Sequence, residues 1–367
     1  MAGALMAQKT QDAQGPLAGL RVIEFTSIGP GPHAAMLLAD LGADVLRIDR
    51  AGGNGWPNPI VDRGRAAKAV DIRSEAGRDW CRAAAAHADV LIEGFRPGVM
   101  ERLGLGPDVL CAANPRLVYG RMTGWGQEGP LARSAGHDIN YIALSGALAA
   151  MGRPGEPAAV PLNLVGDFGG GSMFLVFGLL AALWERGRSG RGQVVDAAII
   201  DGVASLMTMF TGLVPTGRIS LDRADNLLGG AAPFYRCYLC ADGREVSVGP
   251  LEPPFFAAMM AALGLGALAG AQYDTARWGE LTGALAATFA SQPQEHWASL
   301  FAGSDACVAP VLSAAEAPGH PHHLARATFV EAAGLVQAAP APRFSRTGGA
   351  IRPAGDADAM LAAWQAV

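Results

Sequence analysis

The chain has little charge and little cysteine. Charged residues fill only 17% of its 367 positions and hydrophobic residues fill half, which excludes an intrinsically disordered chain. Neither sign dominates: 28 basic against 33 acidic side chains leave a net charge of −5. That balance favours neither nucleic acid nor a membrane surface as partner, so an anionic ligand must be met by local basic residues. Five cysteines, a sparse and odd number, speak against a disulfide framework and for reduced thiols inside a cell. The first residues lack a basic segment followed by an apolar one, and the chain ends Trp-Gln-Ala-Val rather than on a Ser-Lys-Leu address. The expected compartment is the cytoplasm. Long apolar runs are missing too: the longest, residues 173–184, covers 12 positions, too few to span a bilayer. Three catalytic signatures, G-x-S-x-G, the Walker A loop and H-E-x-x-H, do not occur.

Glycine and proline are plentiful. Together, 49 Gly and 24 Pro make about a fifth of the chain, below the roughly 25–30% that signals low complexity. They imply tight turns and close backbone approaches. The length predicts two domains and a core needing no staples.

The pattern is α/β. A strand over residues 20–25, a Gly/Pro turn, a helix over 33–41 closed by Gly42 and a buried strand over 44–48 form the unit from which parallel sheets are built. It recurs as a helix over 74–87 before a strand at 89–93, and a helix over 99–110 before a strand at 116–122. The expected fold is a Rossmann-like, doubly wound parallel sheet over residues 1–190, to which 336–367 returns. Residues 191–229 read as a linker that carries a strand-like run at 193–197 and a helical one over 199–213 before a turn-rich stretch over 215–232, and 319–335 reads as a return linker. Between them, 230–318 form a smaller α+β domain with a hairpin turning at Ala241-Asp242-Gly243. Residues 1–14 read as a loose tail.

Gly29-Pro30-Gly31-Pro32-His33-Ala34 fits G-x-G-x-x-A after a strand, and Asp49 follows at the distance of a dinucleotide fingerprint. Two features oppose a nicotinamide reading. Pro30 and Pro32 lack the N–H groups that such a loop offers to pyrophosphate, and Arg50 beside Asp49 suits a phosphate better than a ribose diol. Among the histidines, His87 and His296 read as structural or exposed. His320, His322 and His323 read as surface residues, since no cysteine or carboxylate pair stands near to complete a metal site. Cys237 and Cys240 read as an incidental C-x-x-C.

His137, in Gly136-His137-Asp138-Ile139-Asn140-Tyr141, is either a packed loop histidine or a general acid/base. Asp167, in Val165-Gly166-Asp167-Phe168-Gly169-Gly170-Gly171, opens an apolar helix. It is either an N-cap or a carboxylate sharing a site with a developing anion that the helix start would stabilise. Glu252, in Gly249-Pro250-Leu251-Glu252-Pro253-Pro254, reads by itself as a turn residue.

These segments, with Gly19-Leu20-Arg21-Val22-Ile23-Glu24, Leu41-Gly42-Ala43-Asp44-Val45, Arg96-Pro97-Gly98 and Asn163-Leu164-Val165, resemble the alpha-methylacyl-CoA racemase branch, bacterial type, of the family III CoA-transferase superfamily. The likeness runs from about residue 17 to 346. It implies an isomerase interconverting (R)- and (S)-2-methylacyl-CoA thioesters of lipid metabolism. His137 and Asp167 would be the two acid/bases, and Glu252 would hold and polarise His137. It further implies that Arg50, Arg73, Arg96, Gly136 and Tyr141 meet the CoA substrate, that Val70 and Ile72 line the adenine, and that Ile28 lines the acyl pocket. The family forms an interlocked homodimer, which would bring Glu252 from the partner. One departure stands out: Asp62-Arg63-Gly64-Arg65-Ala66-Ala67-Lys68 replaces the usual basic stretch.

Inverting a 2-methyl centre needs a proton removed from one face and another delivered to the other. Two groups of different intrinsic pKa do this through an enolate, each contributing roughly 10²–10⁴-fold. No metal or separate cofactor is required, because coenzyme A arrives as part of the substrate, and no metal site is expected. The expected donor to the enolate oxygen is the helix start at Asp167. The alternatives are a CoA-transferase using Asp167 as nucleophile, for which His137 is not needed, and a noncatalytic CoA-binding module.

Overall fold

The computed structural model describes residues 15–53 and 55–366. The tail expected over residues 1–14 lies outside the described residues. The chain divides into two units. The larger holds residues up to 145, 161–206 and 322 onward; the smaller holds 146–160 and 207–321.

The larger unit is built on a parallel sheet. Its strands are β1 (Arg21–Phe25), β2 (Asp44–Asp49), β3 (Arg65–Ala69), β4 (Val90–Glu93), β5 (Val118–Thr123) and β6 (Val194–Ala198). They lie in the order β3-β2-β1-β4-β5-β6, all parallel, with Ile23 opposite Leu46 on one side and Leu91 on the other. This is a doubly wound order, reversing between β1 and β4. Strand side chains alternate between faces, so both faces need cover. One buries Ile23, Phe25, Leu46, Ile48 and Leu91 under helices Glu75–Ala85 and Ala357–Gln365, through Cys81, Ala84, Leu361 and Trp364. Helices Pro30–Asp40 and Met173–Ser189 pack on the rest of the sheet.

The local chemistry explains the boundaries. Ser74 caps its helix by accepting the Gly77 N–H at 3.0 Å, a contact worth about 1 kcal/mol. The first helix starts at Pro30, earlier than the expected residue 33, because a proline fits the first helical position without losing a hydrogen bond. The helix expected over 99–110 is two, Val99–Arg102 and Pro107–Ala113. Gly104 between them takes a positive φ, and Pro107 starts the second. β3 escaped the sequence reading because its pattern carries Arg65 and Lys68. Arg65 is nevertheless buried, ion-paired with fully buried Glu24 of β1 and with Asp62 at 2.9 Å.

Two linker expectations are corrected. The strand-like run within the expected linker, residues 194–198, belongs to the sheet as β6, paired with β5, and helix Ile199–Leu206 follows it directly. Within 319–335 lie helix Pro321–Arg326 and strand β10 (Phe329–Ala332), which pairs antiparallel with β11 (Leu335–Ala338).

In the smaller unit, β7 (Arg236–Leu239), β8 (Glu245–Val248) and β9 (Val308–Pro310) form an antiparallel sheet, with the hairpin turn at Gly243. Its core gathers Phe234, Tyr238, Val246, Phe256, Met259, Leu285, Phe289 and Trp297. Cys237 is exposed and Cys240 buried, so the C-x-x-C pair is not a joint site.

The apolar run expected over 173–184 is longer in the structure. A π-helical stretch, Leu164–Ser172, continues directly into helix Met173–Ser189. By length and composition this 26-residue rod could cross a membrane. Here it runs along β5 and β6 with Leu175 and Leu179 fully buried.

Candidate active site

In open α/β sheets, ligands bind beyond the carboxyl ends of the strands, where the strand order reverses. A cleft of about 750 Å³ lies there in the larger unit. The segment after β1 supplies Thr26 to Pro30, the segment after β2 supplies Arg50 and Trp56, that after β4 supplies Gly94 to Pro97, and the end of β5 with the segment after it supplies Met122 to Trp125. The segments after β1 and β4 approach so closely that a Cβ on Gly94 would stand 3.1 Å from that of Ser27.

His137 and Asp167, 30 positions apart in sequence, both line this cleft. His137 is exposed and stands immediately before helix Asp138–Leu144. Its loop is held from behind: the Tyr141 hydroxyl donates to the Gly136 carbonyl at 2.5 Å, and the ring packs edge-on against Trp125 at 4.8 Å. Gly124 and Gly136 leave room for that ring, since a Cβ on Gly124 would lie 2.0 Å from it.

Asp167 is half-buried in the first turn of the π-helical stretch. Widened helical turns of this kind often occur at functional sites. Burial is the main cause that raises its pKa; the Asn163 amide, donating at 3.2 Å, opposes this, nearby Asp138 adds to it, and His137 opposes it. The two candidate acid/bases are therefore within electrostatic reach of each other. Gly29 faces Asp167 from the other wall: its φ is +70°, and a Cβ there would lie 3.0 Å from the carboxylate.

The expected donor is corrected. The Asp167 N–H is not open to an enolate oxygen, because it donates to Asp138 Oδ1 at 2.6 Å.

Of the other sequence-derived residues, Ile28, Arg50, Arg96, Gly136 and Tyr141 line the cleft. Val70, Ile72 and Arg73 do not. Val70 and Ile72 pack on the hydrophobic core, and Arg73 is exposed beside Asp71 at 3.2 Å. Glu252 stands exposed before helix Pro253–Ala262 in the smaller unit. Asp49 gives no ribose site, since one oxygen accepts the Thr26 hydroxyl and both meet the Arg47 guanidinium. The Asp62-to-Lys68 stretch is likewise committed elsewhere: Arg63 to Asp40, Arg65 to Glu24 and Lys68 to Asp358. Among the described residues, no group of three or more His, Cys, Asp or Glu is placed to hold a metal ion. Sequence reasoning missed Asn163, Asp138 and Trp56. Asn163 stands one turn before Asp167, a helical spacing that could have found it.

This architecture defines an α/β class with a cleft beyond the strand ends, lined by His137, Asp167 and two arginines, Arg50 and Arg96. The chain belongs to CoA-transferase family III, whose family model matches residues 17–355. It is similar to the alpha-methylacyl-CoA racemase of Mus musculus, 44% identical over 333 residues, covering 90% of this chain and 87% of that one. The racemase of Homo sapiens is 42% identical over 318 residues, covering 86% and 82%. Among solved structures, a CAIB/BAIF family protein from Brucella suis superimposes with a TM-score of 0.79 at 27% identity, covering 96% and 99%.

Proposed function

We propose that this protein is a racemase that interconverts (R)- and (S)-2-methylacyl-CoA thioesters. The observation that carries this reading is the pairing of His137 with Asp167 in one cleft. One group removes the α-proton as the other delivers a proton to the opposite face, and the roles exchange with direction. A carboxylate whose pKa burial raises above the ordinary carboxylate value suits such an exchange. The enolate oxygen is met by the start of helix Asp138–Leu144 beside His137, where the Asp138 and Ile139 amides have no partner within their own helix. Arg50 and Arg96 take the CoA phosphates, and binding energy from that remote part orients the acyl group. Val70, Ile72 and Arg73 serve the CoA end outside the cleft, and Ile28 meets the acyl chain.

The protein works as a homodimer in this reading, with Glu252 reaching His137 from the partner. Helix Met173–Ser189 presents an exposed apolar stripe, Met173, Phe177 and Trp184, the last two at 72% and 75%, which is an interface feature.

The test is α-proton exchange in deuterated water with each isomer. Deuterium enters both, and His137→Ala lowers the rate by roughly 10²-fold or more. No wash-in from either isomer would overturn the reading. A CoA-transferase, the other activity the family houses, instead moves CoA between two acids through an anhydride on Asp167 and keeps that activity in His137→Ala.

A further inference from the structure

Asp138 is buried, sits next to His137, and has no part in the proton transfers described above. It is the first residue of its helix and is 7% exposed. Its carboxylate leaves that helix and crosses to the π-helical turn, where Oδ1 accepts the Asp167 N–H at 2.6 Å. Gly166 lies directly against the same carboxylate, whose other oxygen, Oδ2, is buried. A helix start leaves its first N–H groups without internal partners. Here one of these orphan donors, the Asp167 N–H, is satisfied by a side chain from a different helix. The fit requires glycine at 166, because a Cβ there would stand 2.3 Å from Oδ1.

We propose that Asp138 is the positioning residue of the site, a strut that ties the backbone carrying Asp167 to the helix start carrying His137. The idea rests on the racemase reading only for the meaning of the two acid/bases, since the strut itself is a matter of geometry. The strut has two separable effects. As an acceptor it fixes where Asp167 stands. As a second negative charge it disfavours ionisation of Asp167. The groups that face Asp167 are Asn163, His137 and Asp138, with the Tyr141 phenol within electrostatic reach and Arg96 acting on that phenol. Of these, Asp138 alone is an acid held against the Asp167 backbone.

Two variants of the full-length protein separate the effects. Asp138→Asn keeps an oxygen to accept the Asp167 N–H but removes the charge. Asp138→Ala removes both. The Asp167 carboxyl carbon is titrated by carbon NMR in aspartate-labelled protein, assigned by its loss in Asp167→Asn, alongside the pH profile of α-proton exchange. In Asp138→Asn the Asp167 titration and the acid limb of exchange move to lower pH, with KM unchanged. In Asp138→Ala kcat falls roughly 10²-fold, the scale of a 1 Å misplacement of a reacting group, with KM within about threefold. A purely structural role would lower Tm in both variants and leave the Asp167 titration where it is. The proposal is overturned if Asp167 titrates alike in wild type and Asp138→Asn, or if Asp138→Ala keeps wild-type kcat. A wild-type protein with no exchange but a shifted Asp167 titration in Asp138→Asn would refute the racemase reading and leave the strut standing.

Discussion

Gly29 shows how one residue can be read twice. In the sequence it opens a G-x-G-x-x-A pattern that suggests a phosphate loop. In the fold only Gly29 lies outside the helix, since Pro30 and Gly31 are already helical. Its φ of +70° with ψ of −118° belongs to a region that side-chain-bearing residues avoid, and its bare Cα faces the Asp167 carboxylate. Gly29→Ala should therefore lower stability by about 1–3 kcal/mol through backbone strain. It should also cut α-proton exchange more than it weakens CoA binding, because the added methyl crowds Asp167 and not the arginines. Thermal melts and a kcat-against-KM comparison check both parts; an unchanged kcat would remove Gly29 from the site's design. At this scale the sequence revealed the identity of His137 and Asp167 but not their nearness, which depends on how the Gly136 loop and the π-helical turn fold onto each other.

The element that matters most is the π-helical stretch Leu164–Ser172. Its three consecutive glycines look in sequence like a ligand loop, yet much of their role is packing. A Cβ on Gly170 would meet Val203 at 2.6 Å, and a Cβ on Gly202 would stand 1.9 Å from the Gly170 carbonyl oxygen. The turn and helix Ile199–Leu206 thus touch backbone to backbone. Ser172, fully buried, bonds His33 Nδ1 at 2.7 Å and donates to the Phe168 carbonyl at 3.1 Å. Gly202→Ala forces these backbones apart at a cost of about 1–3 kcal/mol, the usual range for overpacking. Tm should fall by several degrees, and exchange should fall with it at temperatures where the protein is still folded, because Asp167 rides on the displaced turn. A lower Tm with full activity would mean that the turn adjusts without moving Asp167. Strand periodicity made most of the parallel sheet legible in advance. The π-helical widening and the burial of Arg65 in β3 were not, because both depend on partners distant in sequence: Ile199–Leu206 in one case and Glu24 in the other.

For the whole molecule the open question is whether one chain makes one site. The larger unit holds His137 and Asp167, and the smaller unit holds Glu252. If Glu252 serves the His137 of a partner, two inactive variants should repair each other. His137→Ala and Glu252→Gln homodimers each carry two damaged sites. A mixed dimer pairs the intact His137 of one chain with the intact Glu252 of the other, leaving one site whole and one doubly damaged. With random assembly of a symmetric dimer, half the dimers are mixed, and activity should return to about a quarter of wild type. If Glu252 serves its own chain, every site in every mixture keeps one lesson of damage and nothing returns. Phe177→Asp with Trp184→Asp supplies the control: charges on the exposed apolar stripe should shift the sedimenting species toward the mass of one chain and abolish the repair. A double variant that stays dimeric and still repairs would separate the stripe from the interface, whereas failure of repair in an intact dimer would place Glu252 outside the shared site.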